Sequence, residues 1–289
     1  MGKILITGAD GAIGKELRKA WKEKQLICFD RNLGQEMTNA NDLRSVFQEP
    51  VDTVIHLAAL SRVRNADIYR NELARDNVES IQFLIWAVKE LENKPKVIFS
   101  SSREIYGNVN VSCSELMTPQ AINAYGQSKV LGECLLTEAA MKYNFPLTIL
   151  RLSNVYGCML DHPDRFFPRI RDTYFNGHPM IIFGGNQKLD FLHVDDLIEA
   201  FLRIVNRNQR SHPVEIFNLA SGKSRSLLDV VDIIETSFGS LPIIRAVGNE
   251  SEVKCFYADI SRARDELGFS PAIRIEEGIQ RYFNTYIER

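Results

Sequence analysis

Through the first half of the chain, short apolar runs rich in β-branched residues alternate with segments of helical periodicity. One such segment carries Val78, Ile81, Leu84, Ile85, Val88 and Leu91 on a single helical stripe. Strands that are separated by helices need right-handed crossovers, which build a parallel sheet covered by helices on both faces. The sequence therefore predicts an α/β fold with a doubly wound parallel sheet. Its predicted strands are Lys3–Thr7, Gln25–Phe29, Val51–Leu57, Lys96–Ser100 and Leu147–Leu152.

The alternation stops after about residue 156, where prolines and the pair Gly184-Gly185 interrupt a region rich in aromatic residues. A helical pattern at Val194–Val205 and a strand-like run at Glu215–Ser221 still fit the sheet domain. The remainder is typical of a smaller substrate-binding cap assembled from two segments. The predicted sheet domain is 1–157 plus about 190–221, and the predicted cap is about 158–189 plus 222–289.

Composition excludes several classes of protein. The 289 residues are 45% hydrophobic and 25% charged, with a formal charge of −2. That balance excludes disorder and gives no global electrostatic footprint for nucleic acid or an anionic membrane. No apolar run approaches the roughly 18 residues of a membrane span, and we expect no leader before MGKILITG. Five scattered cysteines indicate reduced thiols, so we expect a cytoplasmic protein without a metal site.

A glycine-rich turn follows the first predicted strand. The run TGADGAIG places Gly8, Gly11 and Gly14 between that strand and a helix. Such glycines let backbone amides approach a phosphate closely, and the helix N-terminus supplies unpaired N–H groups. Asp30 ends the second strand 22 residues after Gly8, where a carboxylate accepts ribose hydroxyls and repels a 2′-phosphate. We therefore predict a Rossmann-type site that prefers NAD to NADP, although the adjacent Arg31 offers a cation to a phosphate.

Two residues near the start of a long predicted helix form a candidate acid–base pair. Tyr125 and Lys129 are four residues apart in YGQSK, which puts both side chains on one helix face. A nearby ammonium stabilises a phenolate, so we expect Lys129 to lower the pKa of Tyr125 towards neutrality. This spacing also occurs on ordinary surface helices, so it needs support from a second element.

That second element is a polar cluster at the end of the strand Lys96–Ser100. Ser101, Ser102, Arg103 and Glu104 follow the strand directly. Open α/β sheets bind ligands at the carboxyl ends of their strands. We therefore expect part of this cluster to face a bound ligand.

A series of motifs, taken in order, resembles the NAD-dependent epimerase/dehydratase family, the extended short-chain dehydrogenases that act on nucleotide sugars. The resemblance covers essentially the whole chain and implies an NAD-dependent enzyme with a nucleotide-sugar substrate. The motifs are TGADGAIG, DTVIHLAA (52–59), Asn77, SSREIYG (101–107), AYGQSK (124–129), LRLSNVYG (150–157), DFLHVDD (190–196) and ADISRARDELGFSP (258–271).

The resemblance also implies roles for individual residues. Tyr125 is the implied catalytic base, Lys129 its partner, and Ser102 the residue that hydrogen-bonds the sugar 4-hydroxyl. Expected substrate contacts on the sheet domain are Ser102, Arg103 and Asn154. Expected cofactor contacts are Gly8, Gly11, Ala12, Ile13, Gly14, Asp30, Arg31, Glu36, Met37, Leu57, Ala58, Ala59, Asn77, Ser100, Tyr125 and Lys129.

The sequence departs from the family's dehydratases at one catalytic position. Arg103 stands where they carry the Asp that protonates the departing hydroxide, and a guanidinium cannot donate that proton at neutral pH. Glu104 is retained, as in related decarboxylases, and is a further candidate catalytic residue. We expect 4-epimerisation of a hexose through a transient 4-keto intermediate, with keto-sugar reduction or decarboxylation next and dehydration last. A non-enzymatic NAD sensor is the alternative from another class, disfavoured by Ser102, Tyr125 and Lys129 together.

The diphosphate-binding arginines of related enzymes are absent from this chain. Leu189 occupies the position of the first, and the stretch Gly248-Asn249-Glu250 lacks the second. An arginine fork makes two charge-assisted hydrogen bonds to phosphate, which leucine cannot replace. We expect a neighbouring cation to take over, the candidates being Arg165, Lys188, Arg169 and Arg245. The alternative is a substrate that lacks an ordinary diphosphate linkage.

Two aromatic residues, Phe83 and Trp86, lie off the main apolar stripe of their predicted helix. Exposed aromatic residues at this spacing indicate an interface. Relatives usually dimerise through this helix and the one that carries Tyr125, so we expect a homodimer.

Overall fold

The computed structural model describes residues 2–61, 66–207, 213–247 and 255–287. Its centre is a six-stranded sheet of order β2-β1-β3-β4-β5-β9, in which every neighbouring pair is parallel. This confirms the predicted α/β class. The strands of this sheet are β1 (Ile4–Thr7), β2 (Leu26–Phe29), β3 (Thr53–His56), β4 (Lys96–Ser102), β5 (Leu147–Leu152) and β9 (Val214–Leu219).

Helices cover both faces of the sheet. On one face, Ile4 and Ile6 of β1 pack with apolar residues of α1, α7 and α9. Leu5 points to the other face and packs with α2, α4 and α5, because successive side chains of a strand alternate. These helices are α1 (Ala12–Ala20), α2 (Ala40–Val46), α4 (Ser80–Lys89), α5 (Ala124–Tyr143), α7 (Val194–Asn206) and α9 (Ser261–Leu267), with the short α3 (Arg70–Leu73) before α4.

The strand order creates a topological switch point beside β1. The chain leaves β1 for β2 on one side and later returns to β3 on the other. The two connections diverge there, so a crevice opens outside the carboxyl ends of β1 and β3. Gly8 and Leu57 follow these two strand ends, so the predicted glycine turn lies at the crevice.

The cap has its own apolar core around Tyr156, Phe167, Phe191 and Phe283. β6 and β8 pair with each other and contribute to both cores, since Tyr156 and Phe191 belong to the cap core and Leu192 to the sheet core. The predicted bounds of the two domains stay a prediction. The elements around the cap core are β6 (Asn154–Tyr156), α6 (Phe166–Asn176), β7 (Met180–Phe183), β8 (Lys188–His193), β10 (Ser224–Ser226), α8 (Leu227–Phe238), β11 (Ile243–Ala246) and α10 (Ile275–Ile287).

Two local features differ from the sequence-based expectations. β4 extends to Ser102, whose register partner is Leu152 of β5, so the serine run belongs to the strand. Phe83 and Trp86 are half-buried rather than exposed, because Phe83 packs against the sheet core and the Arg44 guanidinium lies 4.9 Å from the Trp86 ring centroid.

Within the described ranges, no helix is long and apolar enough to cross a membrane. The same residues contain no group of three or more His, Cys, Asp or Glu arranged to hold a metal ion.

Candidate active site

A cleft of about 1040 Å³ opens at the carboxyl edge of the central sheet and is closed on its far side by the cap. It brings together nearly all of the residues expected at the site. Those lining it are Gly8, Gly11, Ala12, Ile13, Gly14, Asp30, Arg31, Glu36, Met37, Leu57, Ala58, Ala59, Ser100, Ser102, Arg103, Glu104, Tyr125, Lys129, Asn154 and Arg165.

The glycine turn is shaped by close backbone packing. Gly8 has a φ of +71°, and a Cβ there would lie 2.7 Å from the amide nitrogen of Ala58. A Cβ on Gly14 would lie 2.4 Å from the carbonyl oxygen of Gly8. The N-cap of α1 is Gly11, which has no side chain to cover the first-turn N–H groups. This cradle fits the pyrophosphate of NAD, which helix N-termini bind through amides and the helix dipole.

Asp30 lies where the sequence predicts a ribose-binding carboxylate. Its oxygens accept the backbone N–H groups of Asp10 and Asn32, both at 2.9 Å. These bonds fix the carboxylate at the rim of the cleft and leave lone pairs for ribose hydroxyls. The residues present therefore fit an NAD ribose.

Asn77 does not line the cleft. It is buried, and its amide donates to the Ser128 hydroxyl at 2.9 Å and accepts the N–H of Leu60 at 2.7 Å. Asn77 thus ties the loop after β3 to α5, and its expected place among the cofactor contacts stays a prediction.

The candidate catalytic residues meet in the middle of the cleft. Lys129 donates from Nζ to the carbonyl oxygen of Ser100 at 2.8 Å, and the same Nζ lies 5.8 Å from the Tyr125 ring centroid. Ser102 is close enough to Tyr125 to oppose the rise in the pKa of its phenol, and the Ser102 hydroxyl oxygen accepts the N–H of Glu104 at 3.2 Å. Ser102, at the end of β4, therefore lies in the same cleft as Tyr125 and Lys129, near the start of α5.

The electrostatics of the tyrosine differ from the expectation. Burial raises the pKa of Tyr125, while Arg165, the hydrogen bond with Ser102 and Arg103 oppose that rise and Glu104 adds to it. Burial also lowers the pKa of Lys129 to about 8, against the opposing charge of Glu133. The expected lowering of the Tyr125 pKa by Lys129 is wrong for this structure, because burial outweighs the cations around the phenol.

Arg103 and Glu104 form a buried ion pair beside the catalytic residues. Arg103 Nη2 lies 2.8 Å from Glu104 Oε1, and its Nε donates to the Asn154 amide oxygen at 3.1 Å. Glu104 also accepts from the Asn123 amide at 2.7 Å. The position that holds an acid in the resembling dehydratases thus holds a permanently charged guanidinium.

Of the four cations that are candidates for binding a diphosphate, two line the cleft and two do not. Arg165 and Arg169 line the cleft. Lys188 and Arg245, both among the described residues, lie outside its lining. Phe191 of β8 faces the cleft, and Lys188 is an odd number of residues away, so its side chain leaves the strand on the other face. Lys188 therefore does not line the cleft, and its expected contact with the substrate stays a prediction. Gly248-Asn249-Glu250 lie outside the described residues.

A segment of the cap reaches across the cleft to the sheet domain. We call residues 158–165 the cap strap. The N–H of Met159 donates to Glu16 of α1 at 3.1 Å, and Arg165 Nη2 donates to the Ser61 hydroxyl at 3.1 Å. Tyr286 of α10 donates to the Met159 carbonyl oxygen. The cap strap thus joins the two sides of the cleft.

The sequence reasoning missed a buried network behind the catalytic helix. Glu133 lies one turn after Lys129 and accepts from Arg151 at 2.8 Å and from Ser101 at 2.5 Å. Arg151 also donates to the Tyr106 hydroxyl at 3.0 Å. The available signal was the charge in the apolar run LTILRL, because a charge within a buried strand needs a partner.

A parallel sheet with a glycine cradle, an acid at the end of β2 and a Ser, Tyr and Lys in one cleft defines an NAD-dependent enzyme of the extended short-chain dehydrogenase type. Residues 4–220 match the profile of the NAD dependent epimerase/dehydratase family. The chain belongs to this family, as its motifs predict.

Named relatives agree with this assignment. The chain is 30% identical to a putative UDP-glucose 4-epimerase of Methanocaldococcus jannaschii, over 97% of both proteins. It is 28% identical to an uncharacterized UDP-glucose epimerase of Bacillus subtilis, over 96% of this chain and 95% of that protein. Among solved structures, UDP-glucuronic acid 4-epimerase of Bacillus cereus with UDP-glucuronic acid and NAD is similar at a TM-score of 0.90 and 26% identity, over 99% of each chain.

Proposed function

We propose that this protein is an NAD-dependent nucleotide-sugar 4-epimerase that acts on a hexose through a transient 4-keto intermediate. The observation that carries the proposal is the meeting of Ser102, Tyr125 and Lys129 in the cleft, with a guanidinium at position 103. A 4-epimerase needs a base, an oxyanion partner and a hydride acceptor, but no acid for a departing hydroxide. The relatives named as UDP-sugar 4-epimerases support the same choice.

The side chains divide the proton chemistry between them. Tyr125, as the phenolate, removes the proton of the sugar 4-hydroxyl, and the Arg165 and Arg103 guanidinium groups, which oppose the rise of its pKa on burial, favour that phenolate. Ser102 donates to the developing carbonyl oxygen, an interaction that is strong because the site is buried. Bound NAD supplies the hydride acceptor and the hydride that is returned to the opposite face of the sugar. Tyr125 then returns the proton to the 4-oxygen of the epimer.

Arg165 and Arg169 are the proposed partners of the substrate diphosphate. Both line the cleft on the cap side, where Leu189 is instead packed into the apolar core of the cap. The relatives' printed substrates are UDP sugars, so a uridine diphosphate hexose is the proposed substrate class.

The decisive experiment incubates the protein, without added cofactor, with UDP-glucose, UDP-glucuronic acid and dTDP-glucose, followed by chromatographic separation of the sugars. We expect a 4-epimer to accumulate to equilibrium with no net change in NADH, because the hydride returns to the sugar. Release of CO₂ indicates a decarboxylase, a 4-keto-6-deoxy product indicates a dehydratase, and steady consumption of NADH in a parallel incubation to which NADH is added indicates a reductase. Bound NAD with no turnover of any sugar indicates a sensor, and each of these results rejects the epimerase.

The proposal includes location and assembly. All five cysteines are free thiols, which fits a reducing compartment, so we place the enzyme in the cytoplasm.

We also propose a homodimer, formed through α4 and α5, where Leu131 is 53% exposed. Light scattering on the purified protein tests it, and a mass near 33 kDa rejects it.

A further inference from the structure

Arg31 is the neighbour in sequence of Asp30, the carboxylate that is proposed to select NAD. It follows Asp30 directly and begins a single turn of 3₁₀ helix, Arg31–Leu33. A guanidinium at this place is well suited to a ribose 2′-phosphate, since arginine binds phosphate through paired N–H groups. Left free, Arg31 would therefore work against the selectivity that Asp30 provides.

The structure shows Arg31 engaged by two carboxylates. Its Nε donates to Glu36 Oε1 at 2.6 Å and its Nη2 to Glu36 Oε2 at 3.0 Å, a two-pronged contact. On the other side, Nη2 donates to Asp76 Oδ1 at 3.0 Å. Arg31, Glu36 and Asp76 all line the cleft, so we call this trio the arginine clamp.

The arginine clamp changes what a 2′-phosphate would meet. The phosphate would have to compete with Glu36 and Asp76 for the guanidinium and would lie among these two carboxylates and Asp30. Like charges in one site repel, whereas the uncharged 2′-hydroxyl of NAD avoids that repulsion. The trio is partly exposed, since the Arg31 side chain is 54% exposed, so solvent screening moderates the effect.

We propose that Glu36 and Asp76 are specificity-determining residues that favour NAD over NADP by keeping the Arg31 guanidinium engaged, so that it does not bind a ribose 2′-phosphate. This inference rests on the proposed NAD site and goes beyond the direct role of Asp30. The Arg31–Glu36 pair is exposed on both sides and contributes little to stability. The Asp76 side chain is 12% exposed, so thermal unfolding of the variants is measured beside the binding test.

The test is an equilibrium competition. The full-length protein is held with NAD and NADP together until exchange is complete, and the bound nucleotides are then released by denaturation and quantified. The double variant E36Q/D76N is expected to raise the bound NADP-to-NAD ratio at least about tenfold, because a freed arginine gains charge-assisted bonds to phosphate. Adding R31A to that double variant is expected to remove most of the gain.

A matched control removes the same number of carboxylates elsewhere. Glu199 and Glu277 pair with Arg203 and Arg281 on exposed surfaces, and E199Q/E277Q is expected to leave the ratio within twofold of the unmodified protein. An unchanged ratio in E36Q/D76N overturns the inference. A gain that survives R31A also overturns it, because the carboxylates then act by direct repulsion. The readout is binding, so failure of the sugar chemistry would leave this result interpretable.

Discussion

Tyr125 and Lys129 are buried, and the charged groups around Tyr125 shift its pKa in opposite directions. The pKa of Tyr125 is raised by burial, and Arg165 and Arg103 are among the groups that oppose the rise. The charge of Glu133 keeps the pKa of Lys129 from falling below about 8. The reactivity of the tyrosine therefore depends on several side chains beyond its helical partner.

Replacing Tyr125 by Phe removes the proton acceptor and keeps the ring. We expect turnover to fall by at least about two orders of magnitude, with NAD still bound at its original stoichiometry. Initial rates on the substrate that the panel identifies, with nucleotide analysis of the protein, measure both. Tyr143→Phe, at the far end of the same helix, is the control and is expected to keep full activity. Near-normal turnover of Tyr125→Phe would remove this residue from the mechanism.

Arg165 and Arg169, which line the cap side of the cleft, are expected to hold the nucleotide of the substrate. Arg165→Ala and Arg169→Ala are each expected to weaken UDP binding about tenfold or more, because a charged hydrogen bond contributes roughly 1.5–3 kcal/mol. Calorimetry at low salt measures the effect, which should shrink as salt rises. Lys188→Ala is the control, since Lys188 lies outside the cleft lining. Equal losses in all three variants would contradict the placement.

At the scale of elements, β8 carries an acid with no solvent contact. Asp190 is fully buried, and its Oδ1 accepts the N–H and the hydroxyl of Ser221, both at 2.7 Å. Burial raises its pKa to about 6 in spite of these bonds. The bonds join β8 to the loop after β9, so this acid holds the cap to the sheet domain.

The raised pKa makes the stability depend on pH. A carboxyl whose folded pKa lies above its unfolded value stabilises the fold fully below about pH 4, and that contribution is lost as pH rises to about 6. The loss is of order 3 kcal/mol at most, from 1.36 kcal/mol per pKa unit. Asp190→Asn keeps the acceptor for Ser221 and stays neutral, so its stability should lack this fall. Urea unfolding of both proteins from pH 4 to 7 measures it, and parallel curves would reject the assignment.

The strands of the sheet could be predicted from the sequence, whereas the short strands of the cap could not. All six residues of β5 are buried, and a strand covered on both faces shows as a nearly continuous apolar run. β6 and β10 have only three residues each, too few to show a period. The direction of the Lys188 side chain could not be predicted either, because it depends on the register of a strand that the sequence does not reveal.

At the scale of the whole molecule, the cap strap joins two domains over the NAD site. The double change Glu16→Ala and Ser61→Ala removes both acceptors on the sheet domain. We expect bound NADH to dissociate about fivefold faster or more, since two hydrogen bonds of about 1 kcal/mol each are lost. The decay of nicotinamide fluorescence after addition of excess NAD measures the rate. Glu199→Ala, distant from the strap, should dissociate at the original rate, and an unchanged rate in the double variant would show that the strap does not retain the cofactor.

The cap strap that bridges the cleft also suits the redox chemistry of an epimerisation, in which the sugar is neither oxidised nor reduced overall. The hydride that leaves the sugar returns to the same sugar, so one nucleotide serves cycle after cycle and has no need to visit the surrounding pool. A nucleotide that the strap retains would be insulated from the oxidation state of that pool. We expect the rate of sugar interconversion to stay constant when the external ratio of NAD to NADH is varied, as it would for a permanently attached prosthetic group.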